Sequence, residues 1–318
     1  MIRFLHSRPA GAVLLGCWMA ICLPAFAHAG PEHDIEELTD RLSKEGESAD
    51  LFLQRAIEYE LLSKHAEATR DLEHALRFEP HSLPIQRELS HTYFVSGKTN
   101  EALQTANRGL EAATGEGSDY AALLIVRAEI LRAANHFDKA VADANRAIKT
   151  EPGKVEWYLF RSQLQAHLKQ KKERIAGLED GIKETGSAVL ENERIDALIE
   201  DTQYETALIR IDKELEDSRW KSSWLIRRAK VRLATAKTVE GKADLDAAIS
   251  EIESRINLNS PDPSLLADRG TARELLGNYE GARKDYEDAR DKGVAEDWLL
   301  DRIRILKEKE KTEAADKK

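Results

Sequence analysis

Two stretches of this chain carry one pattern at a distance: HAEATRDLEHALRFEP ends at Pro80 and HFDKAVADANRAIKTEP ends at Pro152. Alanines stand at matching offsets in both, Ala68 and Ala75 in the first, Ala140 and Ala147 in the second; NYEGARKDYEDA repeats them as Ala282 and Ala289. Small residues recurring at fixed intervals restrict the fold more than any local propensity does, because every copy must be the same supersecondary unit and neighbouring units must stack. Anchored on the prolines, the period is 34 residues, with copies starting at Ala49, Leu83 and Ala121; a four-residue excess around GEGS precedes the third.

Numbering the places of a copy from its first residue, small side chains fall at 8, 20 and 27 and larger apolar ones at 4, 11 and 24. These places resemble those of the tetratricopeptide repeat, and the resemblance implies two antiparallel helices per copy that cross closely at the small places. Gly97 and Gly277 would supply the turn between them, while Pro80 and Pro152 would stop the second helix. Weaker copies start at Val155, Ala188, Ser222 and Pro263. The fourth has Arg174 where alanine is expected, so its crossing should open or bend the stack; the sixth reads as holding about seven extra residues in TAKTVEGKAD before Ala248.

These marks resemble the tetratricopeptide repeat family over about residues 49–294. The resemblance implies an all-α, right-handed solenoid of about seven helix pairs, with units near 49–82, 83–116, 121–154, 155–187, 188–221, 222–262 and 263–294. An amphipathic stretch within 30–48 would cap the first unit, and a helix with a charged tail in 295–318 would cap the last. In that final helix Trp298, Leu299, Ile303 and Leu306 would cover repeat seven, and EKTEAADKK beyond it is expected to be unstructured. Self-association through these end helices is a further expectation.

Residues 1–29 differ in character: Arg3 and Arg8 lead, AVLLGCWMAICL at 12–23 is apolar, and Ala27 and Ala29 occupy the −3 and −1 places of a cut before Gly30. This is the shape of a Sec-type export signal, with an apolar core too short for a comfortable span; the rival readings are an uncleaved anchor and, through LLGC at 14–17, a lipoprotein. The chain is thus expected to be periplasmic or secreted, with no membrane span after cleavage. Cleavage would remove both cysteines, Cys17 and Cys22, leaving no disulfide. It would also leave 46 basic residues (48 less Arg3 and Arg8) against 58 acidic, a net charge of −12. Such a surface repels phosphate backbones, so nucleic acid is not an expected partner.

Candidate chemistry is sparse. SGKT at 96–99 has Thr92 where a phosphate-binding loop needs glycine and follows a helix pattern rather than a strand, so it reads as an inter-helix turn. His65, His74, His81 and His91 are nine, seven and ten residues apart, spacings that do not converge on one metal. No catalytic set stands out, so a non-enzymatic protein without cofactor or metal is expected. The alternative, an enzyme or its accessory subunit in the cell envelope, would need a polar pocket, most plausibly in the irregular insert near 236–247. Arg55, Arg127, Arg161, Arg228 and Arg269 recur at place 7. Each is expected to lay its stem over the neighbouring repeat and pair with a carboxylate there.

In the resembled family the first helices line a concave groove through places 2, 5, 6, 9, 12 and 13. Carried over to this chain, those places give Gln54, Ile57, Glu60, Arg87, His91, Phe94, Glu129, Arg132, Phe160, Gln163 and His167, then Asp196, Arg227 and Lys230. That mixture suits a peptide or protein partner. The family's carboxylate clamp uses Lys and Asn at places 5 and 9 of its first unit; Leu53 and Ile57 stand there, so a chaperone's C-terminal carboxylate is not the expected ligand.

Overall fold

Alanine can sit where two helices touch, because its side chain adds one methyl to the backbone cylinder. Ala68, Ala75, Ala102, Ala140, Ala147, Ala207, Ala248, Ala282 and Ala289 are all 0% exposed. Around them the computed structural model shows sixteen α-helices and no strand among the residues it describes, which are 30–256, 262–294 and 297–316. Residues 1–29, where an export signal is expected, residues 257–261, and the side chains at 297 and beyond 309 lie outside that description.

The helices form two compact units. The N-unit ends at Leu190 and the C-unit begins at Glu191. In the N-unit, α1 (Pro31–Glu45) packs on α2 (Ala49–Leu61), and four helix pairs follow from it. They are α2 with α3 (His65–Phe78), α4 (Leu83–Val95) with α5 (Thr99–Ala112), α6 (Ser118–Ala133) with α7 (Phe137–Thr150), and α8 (Val155–His167) with α9 (Lys171–Thr185). α10 (Ala188–Glu200) carries the division between the units. The C-unit continues with α11 (Tyr204–Asp217), α12 (Ser222–Ala234), α13 (Thr238–Arg255), α14 (Pro263–Leu275), α15 (Tyr279–Asp291) and α16 (Asp297–Asp316).

Every turn inside a pair is built alike. Place 15 has a left-handed backbone in all seven copies: Ser63, Gly97, Asn135, Lys169, Thr202, Ala236 and Gly277, with φ between 56° and 85°. The next amide then donates back to the carbonyl of place 11, as in Lys64 to Tyr59 at 2.8 Å and Gln203 to Leu198 at 2.9 Å, which closes the end of the first helix. SGKT is one of these turns. Only two copies use glycine, so the others carry strain of about 1–2 kcal/mol each, and β-branched Thr202 is the poorest fit. Thr202→Gly should relieve it, less the roughly 0.4–1 kcal/mol that glycine's freer unfolded chain returns. A gain near 1 kcal/mol is expected in urea unfolding, and a loss would refute the argument.

The same turn corrects the reading of the sixth copy. Ala236 at place 15, Leu245 at 24 and Ala248 at 27 keep the regular register from Ser222. The surplus therefore lies after Ala248. α13 runs to Arg255, and 236–247 is an ordinary turn and helix rather than an irregular insert. GKAD misled because Gly241 takes the alanine place: a Cβ there would lie 3.1 Å from Leu233 Cδ2. The unstructured tail is also corrected, since α16 continues to Asp316 through residues that favour helix. Within it Leu299, Ile303 and Leu306 are buried against Tyr286, Ala289 and Ala282 of α15, with Trp298 half-buried beside them. Arg174, expected to open its crossing, is instead 5% exposed and donates to buried Ser162 at 2.9 Å.

The arginines at place 7 take their main partner within their own pair, although Arg228 and Arg269 also meet the expected carboxylate of the neighbouring repeat, Asp212 and Glu253. Arg55, Arg127, Arg228 and Arg269 each grip, bidentately, the aspartate 16 residues on, in the second helix of their own pair: Asp71, Asp143, Asp244 and Asp285. The neighbouring repeat supplies the third point. Nη1 reaches Thr39 from Arg55 (3.0 Å), Asn107 from Arg127 (2.8 Å) and Asp212 from Arg228 (3.1 Å). Each guanidinium thus clips three helices, using its planar fork. In the fourth copy Gly177 stands where the aspartate would be, and Arg161 donates to its carbonyl at 2.8 Å and to Asn145 at 3.0 Å.

Candidate functional site

Face residues on the first helices meet most clearly in the C-unit. Arg227 on α12 reaches back to Asp196 on α10 with two hydrogen bonds, 3.1 Å from Nε and 2.8 Å from Nη2. Burial works against the guanidinium's charge, but the field and hydrogen bonds of Asp196, with Asp268 and Glu193 behind, hold its pKa above the ordinary value. Ser223, Ile226 and Lys230 of α12 and Asp268 and Thr271 of α14 close a small open cleft around this pair. Its volume is about 20 Å³, room for a water or so, whereas small-molecule sites run to roughly 300–1,000 Å³. The cleft can seat one side chain of a larger partner. It is not shaped for a metabolite.

Asp196, Arg227 and Lys230 were named from the sequence, and the structure brings them together. Ser223, Ile226, Asp268 and Thr271 were missed. They stand at places 2, 5, 6 and 9 of their copies, so the same rule carried through the last two units would have found them.

In the N-unit the corresponding face is less open. Gln54 donates to Asp50 at 2.8 Å, and Arg87 is engaged by Glu88 at 2.9 Å, with Asp119 3.8 Å away. Glu60 at the end of α2 meets His65 Nδ1 at the start of α3, 3.1 Å apart. Burial holds the nearby His91 imidazole below its usual pKa, although Glu60 opposes this. Ile57 and Gln163 are half-buried, and Phe94 packs on Val126 and Ile130 of α6. Phe160, placed on the groove wall by the sequence, is only 3% exposed. Its ring forms a floor under Arg132, whose guanidinium carbon lies 6.0 Å from the ring centre. The four histidines do not converge on one point: His65 and His91 both approach Glu60, His74 lies tilted against Phe52 (5.3 Å between ring centres), and His81 is exposed.

Glu129 is the outlier. Burial pushes its carboxyl pKa up to about 7, with Arg132 pulling weakly the other way. Between the ordinary value of 4.5 and 7 the folded state keeps a proton that the unfolded chain has released. Its contribution to stability is therefore full below 4.5 and lost as pH rises through 7. Carbon-detected NMR should show one glutamate carboxyl titrating near neutrality, absent in Glu129→Gln; titration of all glutamates between 4 and 5 would refute the burial argument.

Residues 62–124 match the sequence model of a tetratricopeptide repeat. No curated protein matches the chain in sequence. Among solved structures, a tetratricopeptide repeat protein from Parabacteroides merdae is similar with a TM-score of 0.55 at 16% identity, covering 86% of this chain and 99% of its own. PilF of Pseudomonas aeruginosa is similar at 0.48 and 14%, covering 62% of this chain and 88% of its own. No helix among the described residues is long and apolar enough to cross a membrane. Residues 62–124 thus carry a tetratricopeptide repeat signature, and the described helices form an all-α solenoid of the fold seen in tetratricopeptide repeat proteins.

Proposed function

We propose that the protein is a non-enzymatic scaffold of the cell envelope, exported by its leader, which holds a peptide or protein against the face formed by the first helix of each pair. The observation that carries this reading is the C-unit cleft, where three successive first helices each contribute side chains from the same places to one notch. A rigid scaffold presenting anchors at a fixed repeat binds by shape, with little ordering cost. The notch supplies two basic and two acidic groups beside Ile226, a mixture that suits a polar side chain on an extended segment.

A photo-crosslinking side chain at Lys230 or His91, on the proposed face, should yield a discrete protein adduct in cells. The same group at exposed Lys242 on α13 should not. Equal adducts from all three positions would sink the face assignment. The intact mass of the protein from the envelope fraction should match a chain starting at Gly30; a retained leader would sink the cleavage, and recovery in the cytosolic fraction would sink the export claim.

A further inference from the structure

The polar side chains along the N-unit face are mostly spent on one another: Gln54 on Asp50, Arg87 on Glu88, Glu60 on His65. Glu129 is not. It is half-buried on α6, a helix that buries nine other side chains. Among the described residues its carboxylate accepts no hydrogen bond and makes no ion pair. Arg132, one turn on, holds its guanidinium over the Phe160 ring. A desolvated carboxylate without a donor is costly, and a cation brought to it recovers that cost.

We propose that Glu129 is the anchor for a lysine or arginine side chain of the segment bound along the N-unit face. Two observations favour a cation on a peptide. Half-buried Phe94 packs on the cluster of Val126 and Ile130, near neighbours of Glu129 along α6, so an apolar side chain reaches the same face of the N-unit. Lysine and arginine match that pairing, with an apolar stem below a charged head. The chain from Gly30 onward carries 46 basic residues against 58 acidic, which draws basic partners and repels acidic ones. This inference rests on the face reading above and adds the partner's chemistry to it.

The test uses fluorescent nonapeptide pools, blocked at both ends and degenerate in Ala, Leu, Phe and Ser, with the central residue fixed as Lys, Arg, norleucine or Glu. Anisotropy should show the protein binding the Lys and Arg pools about tenfold or more tighter than the norleucine pool, the range expected of one charged hydrogen bond. In Glu129→Gln the preference should fall to within about twofold, with norleucine-pool binding unchanged. Glu101→Gln, an exposed change on α5, should keep the full preference. A Lys and Arg preference that survives Glu129→Gln, or wild-type binding that ranks all four pools equally, overturns the assignment while leaving the face reading intact. Absence of binding to every pool overturns both. Should Glu129→Gln not fold, Glu129→Leu removes the charge equally and decides the same question.

Discussion

Replacing Asp285 with alanine should cost the C-unit about 3–5 kcal/mol, the range for removing one partner of a buried ion pair. The carboxylate is 1% exposed and accepts from Arg269 at 2.7 and 3.0 Å and from Arg273 at 2.9 Å. Its loss would leave two guanidiniums, 17% and 23% exposed, without their buried acceptor and with exposed Glu253 of α13, 3.2 Å from Arg273 and 3.8 Å from Arg269, as the remaining carboxylate. The cost comes from the cations left behind, so Asp285→Asn, which still accepts hydrogen bonds, should lose less. Asp40→Ala, whose partner Lys44 is 70% exposed, should move stability by at most about 0.5 kcal/mol. Stacked repeats need not unfold in one step, so hydrogen exchange of the α14 and α15 amides is the measurement of choice. A loss below about 1 kcal/mol would show that these arginines are not the three-helix clips described.

Gly181→Val should cost the N-unit about 3 kcal/mol, the upper range for overpacking. A Cβ at Gly181 would lie 2.7 Å from Tyr158 Cδ1 and 2.8 Å from Leu190 Cδ1, both in side chains that are themselves buried. Neither ring nor leucine can retreat without lifting a helix, and branching at Cβ removes the rotamers that would dodge them. Gly153→Val is the control, because nothing lies within 4 Å of a Cβ there and its effect should stay near 0.5 kcal/mol. Equal midpoints for the two variants in thermal unfolding would refute close crossing as the basis of the repeat.

How much of this could be read beforehand varied by residue. Ala68, Ala140 and Ala282 announced the pairs because only small side chains satisfy a close crossing, and that demand is written directly into residue type. Arg174 broke the pattern on paper yet fits, since a long side chain can leave the crossing and find Ser162. The sixth copy misled because its landmark at place 20 is Gly241, not alanine. Glu129 was named from its place on the face, but nothing in the sequence set it apart from its neighbours there until burial around α6 isolated it.

By itself the sequence determined the period, the pairing of helices and the places that share one side of each first helix, since those follow from side-chain volume at fixed spacing. Tertiary structure decided which residues at those places are already satisfied by a neighbour and which are not. Arg87, Arg227 and Phe160 looked as available as Glu129, but hydrogen bonding and burial depend on what the adjoining helix presents at the same height, and that distance between helices is not encoded in any one copy.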